Sequence, residues 1–110
     1  MNRMNTIQFL EQIRKYSKEA LSLIEKKNKD YAGCYDKPFR NFDNSAEIAG
    51  ITTEQGLLVR MGDKLLRASN VINENMAQVK EESSKDTLLD LSNYALILAS
   101  RIKDRENEIN

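Results

Sequence analysis

The stretch DTLLDLSNYALILA, at residues 86–99, decides the fold of this chain. At roughly 100° per residue on a helix, Asp86, Asp90 and Asn93 fall within a sector about 60° wide. Apolar side chains occupy the opposite side of the same helix: Leu88, Leu91, Ala95, Leu98 and Ile102. The pattern predicts an α-helix with two carboxylates and one amide on a single face.

The acidic face of this helix is expected to point inward. Seven of the nine residues from Leu91 to Ala99 are apolar or Tyr. A helix that is apolar on nearly every side is usually buried, and buried carboxylates are stable only when they are paired, hydrogen-bonded or bound to metal. Asp86 and Asp90 therefore predict a salt-bridge site or a cation site in a cleft. The plainer alternatives are a solvent-facing surface and, for Asp86, a helix-capping role with Ser83, since Ser83 or Ser84 is predicted to cap this helix.

Length and composition predict one small domain. The chain has 110 residues, 31% charged and 40% hydrophobic, which is typical of a globular protein with a modest core. We expect a single all-α domain over residues 1–110, a helical bundle of four to five helices. Because so small a core leaves much surface, we expect the bundle to be completed by association into a homo-oligomer.

Charge and residue usage exclude several classes of function. Lys plus Arg and Asp plus Glu both total 17, and the resulting net charge of zero argues against a dedicated binder of nucleic acid or of anionic membranes. The chain has no His, which excludes catalytic triads that contain it. A single Cys34 suits a reducing compartment, and no apolar run approaches the roughly 20 residues of a membrane span. We expect a soluble, cytoplasmic protein.

The first half of the chain predicts a long helix followed by an aromatic segment. Amphipathic spacing predicts a helix from about Thr6, its possible N-cap, to Lys29, and its basic end is either solvated or meets phosphates. Residues 30–42 then hold four of the seven aromatic side chains and the only Pro. We expect an irregular loop whose rings either pack into the bundle or cover a planar base.

Turn and capping residues divide the middle of the chain. Residues 44–49 predict a short helix that ends at Gly50. Thr52 and Gln55 form a predicted capping box for a helix from Thr53 to about Asn70. Within it, Gly62 costs about 1 kcal/mol relative to Ala, so it marks close approach by another backbone or by a ligand.

Charged residues on that helix have two interpretations. Arg60, Asp63 and Arg67 share one face, and Lys64 lies beside them. The face is either an intrahelical ion-pair ladder, worth a few tenths of a kcal/mol per pair, or a group that binds phosphate. Residues 73–83 predict a polar connection, and the charged end at 101–110 is expected to fray.

Three runs together resemble a known family. They are KNKDYAG (27–33) with PFRNF (38–42), GLLVRMGDKLLR (56–67) and DTLLDLSNYA (86–95). Over about residues 25–100 they resemble the phage and prophage proteins called nucleotide modification associated domain, type one. The last run is more distantly similar to the second acidic motif of the MazG-like, all-α nucleoside triphosphate pyrophosphohydrolases. Those proteins are helical bundles, usually dimers or tetramers, in which carboxylates from two helices hold Mg²⁺ on the substrate's phosphates.

The match to the acidic motifs is partial. Asp90 and Tyr94 stand where that family has an Asp and an aromatic residue, whereas Thr87 stands where it has a Glu, which Asp86 could replace. The family's other acidic motif falls at Arg60 to Asp63, and only Asp63 is acidic.

The resemblance implies a Mg²⁺-dependent pyrophosphohydrolase, or a close relative, that acts on free (deoxy)nucleotides. Oxygen ligands for Mg²⁺ would come from Asp63, Asp86 and Asp90. Phosphate would be neutralised by Arg60, Lys64 and Arg67. The base and the remaining nucleotide would be oriented or covered by Asn93, Tyr31, Tyr35, Lys37, Phe39, Arg40 and Phe42.

Two alternatives belong to other classes of protein. One is a non-catalytic helical module that binds a nucleotide or a partner protein, which the missing carboxylates favour. The other is an oligomeric structural protein whose acidic and basic faces pair across the bundle.

Overall fold

The structure is a computed structural model that describes residues 3–32, 37–73 and 81–109; for residues 29–32, 81–83 and 109 it describes the backbone alone. Within these ranges every regular element is an α-helix: α1 (Thr6–Ala32), α2 (Arg40–Ala49), α3 (Thr53–Asn73) and α4 (Glu81–Ile109). The predicted all-α class is confirmed.

Local hydrogen bonds explain where two of the helices begin. Before α3, the Gln55 amide donates to the Thr52 hydroxyl at 3.1 Å, and the Thr52 amide donates to the Gln55 side chain at 2.9 Å. This is the predicted capping box. At α1 the same reciprocal pair is made by Asn5 and Gln8, at 2.9 and 3.0 Å. The capping residue is therefore Asn5, and the assignment of that role to Thr6 is wrong by one position.

Gly50 ends α2 as predicted. Its φ of 70° places it in the left-handed region, and the amides of Gly50 and Ile51 donate to the carbonyls of Glu47 and Ala46. A residue with a Cβ is strained in this conformation, whereas glycine is not.

Gly50→Ala is expected to lower the free energy of unfolding by roughly 1–2 kcal/mol, the cost of a left-handed non-glycine residue. Gly56→Ala, inside α3, is the matched control. There a Cβ would lie 3.8 Å from both Ala46 and Ile51, which is ordinary contact, so the same substitution should stabilise the helix by up to about 1 kcal/mol. Urea denaturation measures the change in the free energy of unfolding for both variants. If Gly56→Ala lost as much stability as Gly50→Ala, the role of Gly50 as the left-handed end of α2 would be contradicted.

Several predicted boundaries are wrong. α2 begins at Arg40 rather than near residue 44, so Phe42 lies in a helix instead of a loop. α4 begins at Glu81, which places Ser83 and Ser84 inside the helix and removes their capping role. It also continues to Ile109, through the end that was expected to fray. Residues 33–36 and 74–80 of the two predicted connections lie outside the described residues.

The helices pack around a small core. α4 lies most extensively against α3, α2 covers α3, and α1 packs mainly on α4. Among the described residues the buried apolar side chains are Ala20, Ala46, Leu57, Ala68 and Leu89. The described chain measures 53 × 30 × 26 Å with a radius of gyration of 16.5 Å, against about 13 Å for a compact domain of this length. The arrangement is elongated and leaves many large apolar side chains exposed.

None of the described helices combines the length and the apolar character that crossing a membrane requires.

Candidate functional site

Asp90 lies where three helices meet. It is on α4, and its carboxylate accepts from Lys64 of α3 at 3.0 Å through Oδ2 and from Lys27 of α1 at 3.4 Å through Oδ1. The Asp90 side chain is 22% exposed. The expectation that this carboxylate faces inward is met, and the structure pairs it with two ammonium groups.

The two lysines keep Asp90 ionised. Burial by itself would raise the pKa of Asp90, but the hydrogen bond from Lys64 and the positive charge of Lys27 outweigh burial and hold the pKa below its usual value. The carboxylate therefore carries its full negative charge at neutral pH. Lys27 is 53% exposed and Lys64 only 21%, so solvent reaches the pair from the α1 side.

Arg60 lies one turn before Lys64 and packs against two aromatic rings. Its guanidinium carbon is 5.4 Å from the centre of the Phe42 ring and 5.9 Å from that of Tyr94. The two rings contact edge to face, with centres 6.4 Å apart and planes at 86°. Such cation–π contacts contribute about 0.5–1 kcal/mol each at partly exposed positions. Arg60 is therefore held by rings from α2 and α4.

These side chains form one group, which we name the Asp90 cluster: Lys27, Phe42, Arg60, Lys64, Asp90 and Tyr94. The cluster contains three cations and one carboxylate, so it has an excess of positive charge; Lys27 and Lys64 contact the carboxylate, and Arg60 contacts the rings. Two aromatic rings lie at its α2 end. Basic groups next to aromatic rings can bind phosphate and stack on a planar base.

The other predicted metal ligands do not join Asp90. Asp63 and Asp86 are exposed in the single chain, so the expected inward position of Asp86 is not observed. Neither has an ion pair with another described residue, and the predicted ladder of Asp63 with Arg60 and Arg67 is not formed. In the described ranges no group of three or more His, Cys, Asp or Glu side chains could hold a metal ion. Magnesium binding stays a prediction.

The predicted nucleotide-binding residues are dispersed. Arg67, Lys37 and Arg40 are exposed. The Phe39 ring lies 5.4 Å from the guanidinium of Arg101, away from Arg60. The side chains of Tyr31 and Tyr35 lie outside the described residues. Of the aromatic segment, Phe42 alone is seen to join the Asp90 cluster.

Asn93 is buried between α4 and α1. It is 6% exposed, and its amide nitrogen donates to the Ala20 carbonyl at 3.0 Å. Its oxygen is buried without a hydrogen-bond partner among the described residues. The observed contact joins two helices, so Asn93 has a structural role here, and its predicted contact with a nucleotide stays a prediction.

A second polar network, which the sequence did not reveal, joins α2, α3 and α4. Arg101 is 9% exposed. Its guanidinium lies 3.0 Å from Asp104, 3.6 Å from Glu54 and 3.8 Å from Asp43. Arg105 donates to Glu54 at 2.6 Å, and this hydrogen bond raises the pKa of Arg105. The acidic and basic groups in this network largely neutralise one another, which indicates a structural role.

Thr53 extends this network to the start of α3. Its hydroxyl donates to Asp43 at 2.5 Å, so the first turn of α2 is tied to the first turn of α3. Phe42 precedes Asp43, and the network therefore helps to hold the Phe42 ring next to Arg60.

Compared with protein-family models, with curated proteins and with solved structures, the chain matches none of them.

Proposed function

We propose that this protein binds the phosphate groups of a free (deoxy)nucleotide at the Asp90 cluster, as a cytoplasmic protein of phage or prophage nucleotide metabolism. The observation that carries the proposal is the pairing of Lys27 and Lys64 with Asp90, with a third cation, Arg60, one helical turn from Lys64 and packed against two aromatic rings. The motifs at 27–42, 56–67 and 86–95, which suggested the nucleotide-metabolism family, contain every member of the cluster.

The hydrogen-bonding capacity of the cluster suits a phosphate. An ammonium group has three donors, and Lys27 and Lys64 each direct one contact to Asp90. Their remaining donors can bind phosphate oxygens while the ion pairs persist. Because an excess of positive charge raises the local concentration of anions, the three cations favour a polyphosphate over a neutral sugar or base.

The two aromatic rings of the cluster are arranged so that they can stack on a nucleotide base. Phe42 and Tyr94 are perpendicular, so a planar base can stack on the face of one ring and contact the edge of the other. Stacking on an aromatic side chain is worth about 1–3 kcal/mol per base and tolerates any base. Binding is therefore expected for several nucleotides and to depend mainly on the number of phosphates.

Hydrolysis of the nucleotide with Mg²⁺ is the second candidate, favoured by one observation. Asp90 is ionised, and Asp86 is exposed one turn earlier on the same face of α4. Mg²⁺ usually needs only one or two carboxylates in addition to substrate phosphates, so these two residues could hold it, with Asp63 the third predicted ligand. The cation would have to replace at least one lysine at Asp90. When bound, it would polarise phosphorus and lower the pKa of the attacking water.

The test is calorimetric titration of the full chain with deoxynucleoside mono-, di- and triphosphates, with and without Mg²⁺. We expect affinity to rise with the number of phosphates and to fall with added salt. Lys64→Gln and Arg60→Gln should each weaken triphosphate binding about tenfold, which corresponds to about 1.4 kcal/mol.

Lys103→Gln is the matched control, since the Lys103 side chain is 71% exposed on α4, and its affinity should equal that of the wild type. No heat of binding with any nucleotide, or equal losses in all three variants, would overturn the proposal and favour the oligomeric structural protein. Chromatography for monophosphate and pyrophosphate after incubation with Mg²⁺ decides between binding alone and hydrolysis.

A further inference from the structure

The two sides of α3 differ in chemistry. On one side, Arg60 and Lys64 join the Asp90 cluster, and Leu57 and Ala68 are buried at 1% and 4% exposure. On the other side, five large apolar side chains are between 56% and 62% exposed: Leu58, Val59, Leu65, Leu66 and Ile72. Together with Gly62 and Ser69 they fall within an arc about 140° wide. We name these seven residues the α3 outer face.

The spacing along this face is that of a helix–helix seam. Leu58, Gly62, Leu65, Ser69 and Ile72 follow one another at intervals of four and three residues, the spacing of two helices packed side by side. Large and small residues alternate along it. A Cβ built on Gly62 would meet no described atom within 4 Å. Gly62 therefore costs helix stability, about 1 kcal/mol relative to Ala, with no packing benefit inside the single chain.

The face is complementary to itself. If a second copy packs antiparallel, Leu65 faces Gly62 of the other copy and Leu58 faces its Ser69, so that large side chains meet small ones. From Gln55 to Asn73 the arc contains no charged residue, so the pairing brings no like charges together. A symmetric dimer requires this kind of self-complementary surface.

The exposed apolar area of this face is close to that of a small dimer interface. Five side chains that are more than half exposed offer on the order of 100 Å² of apolar surface each. Their sum of about 500 Å² is close to the roughly 600 Å² per partner at the lower end of specific interfaces. The elongated shape of the single chain agrees with a core that a second copy completes.

We propose that the α3 outer face is the surface on which a second copy of this chain docks, antiparallel, with Gly62 admitting Leu65 of the other copy. Arg60 and Lys64 lie on the opposite side of α3, so the dimer leaves both Asp90 clusters accessible. The proposal does not depend on nucleotide binding.

Light scattering coupled to size-exclusion chromatography tests it at micromolar concentration. The wild-type chain should have twice the mass of 12.6 kDa. Leu65→Glu and Gly62→Leu should each give the single-chain mass. Gly62→Leu is the sharper variant, because the single chain has open space at that position and leucine favours helix more than glycine does. Unchanged helical circular dichroism would show that the variant folds and that only the second copy is excluded.

Leu96→Glu is the control, since Leu96 is 58% exposed on α4, outside the α3 outer face, and this variant should remain a dimer. A single-chain mass for the wild type overturns the proposal. A dimer that persists in both Leu65→Glu and Gly62→Leu overturns it as well, because association must then use another surface.

Cross-linking tests the antiparallel direction. In a Cys34→Ser background, the pair Leu58→Cys and Ser69→Cys should form a disulfide-linked dimer on oxidation, and Leu58→Cys alone should not. Efficient linkage through the single Leu58→Cys variant would overturn the antiparallel arrangement, because a parallel seam brings the two copies of residue 58 together.

Discussion

Leu57→Ala is expected to lower the free energy of unfolding by about 3–4 kcal/mol, within the range for a buried leucine cut back to alanine. Leu57 is 1% exposed and lies in α3, which packs against both α2 and α4. The buried apolar core of the described residues is small, and three of its five members are alanines. Leucine has three more carbon atoms than alanine, so the substitution leaves a cavity in this core, and the short alanine side chains cannot extend to fill it. Against a typical total of 5–15 kcal/mol, the loss is severe.

Urea denaturation followed by helical circular dichroism measures this effect. The control is Ile48→Ala on α2, because Ile48 is 90% exposed and should change stability by less than about 0.5 kcal/mol. If the two variants lost similar amounts of stability, the core would not be centred on Leu57.

Arg101→Met is expected to cost about 2–3 kcal/mol of stability. Methionine keeps most of the length of the side chain but leaves Glu54 and Asp43 without the buried guanidinium that lies between them. Removal of one partner from a buried ion pair is costly, because the remaining charge stays desolvated. One Glu54 oxygen is already buried without a hydrogen bond among the described residues. The variant also removes the positive charge of Arg101 that lies 3.6 Å from this oxygen.

Two further variants separate this effect from simple loss of a surface charge. Arg105→Met removes the other arginine that contacts Glu54, but the Arg105 side chain is 43% exposed, so its loss should be clearly smaller. In Arg101→Met, Glu54 keeps only its contact with Arg105, so adding Glu54→Gln, which removes the partly buried charge, should recover part of the stability. Equal losses for Arg101→Met and Arg105→Met, with no recovery in the double variant, would contradict a buried ion-pair role.

The sequence predicted helix ends correctly where the local capping signals were strong. The capping box of Thr52 and Gln55 and the stop at Gly50 were predicted because each depends on residues no more than a few positions apart. The start of α2 was missed because Pro38 and the aromatic residues around it suggested a loop. In the structure a helix begins at Arg40, and two of its residues contact α3. Phe42 packs against Arg60, and Asp43 accepts a hydrogen bond from Thr53.

The candidate site was predictable only in part. Arg60 and Lys64 share a helix face by spacing alone, and the polar face of α4 was correctly expected to turn inward at Asp90. The pairing of Asp90 with Lys27 joins residues 63 positions apart, and nothing in helical periodicity says which helix lies next to which. The same limit applies to Arg101 and Glu54, whose neighbours are set by how α3 and α4 pack.

The attachment of α1 links folding to the composition of the Asp90 cluster. In its described residues only Ala20 is buried, and polar bridges fasten the helix to α4: Lys85 to Glu19, Asn93 to Ala20 and Lys27 to Asp90. Elements with little buried surface detach first when a protein opens locally. When α1 detaches, Lys27 leaves with it, and the Asp90 cluster loses one of its three cations. A ligand that contacts both Lys27 and Lys64 would therefore hold α1 against α4. Ligand affinity and the packing of α1 on α4 would then be thermodynamically linked, so that each reports on the other.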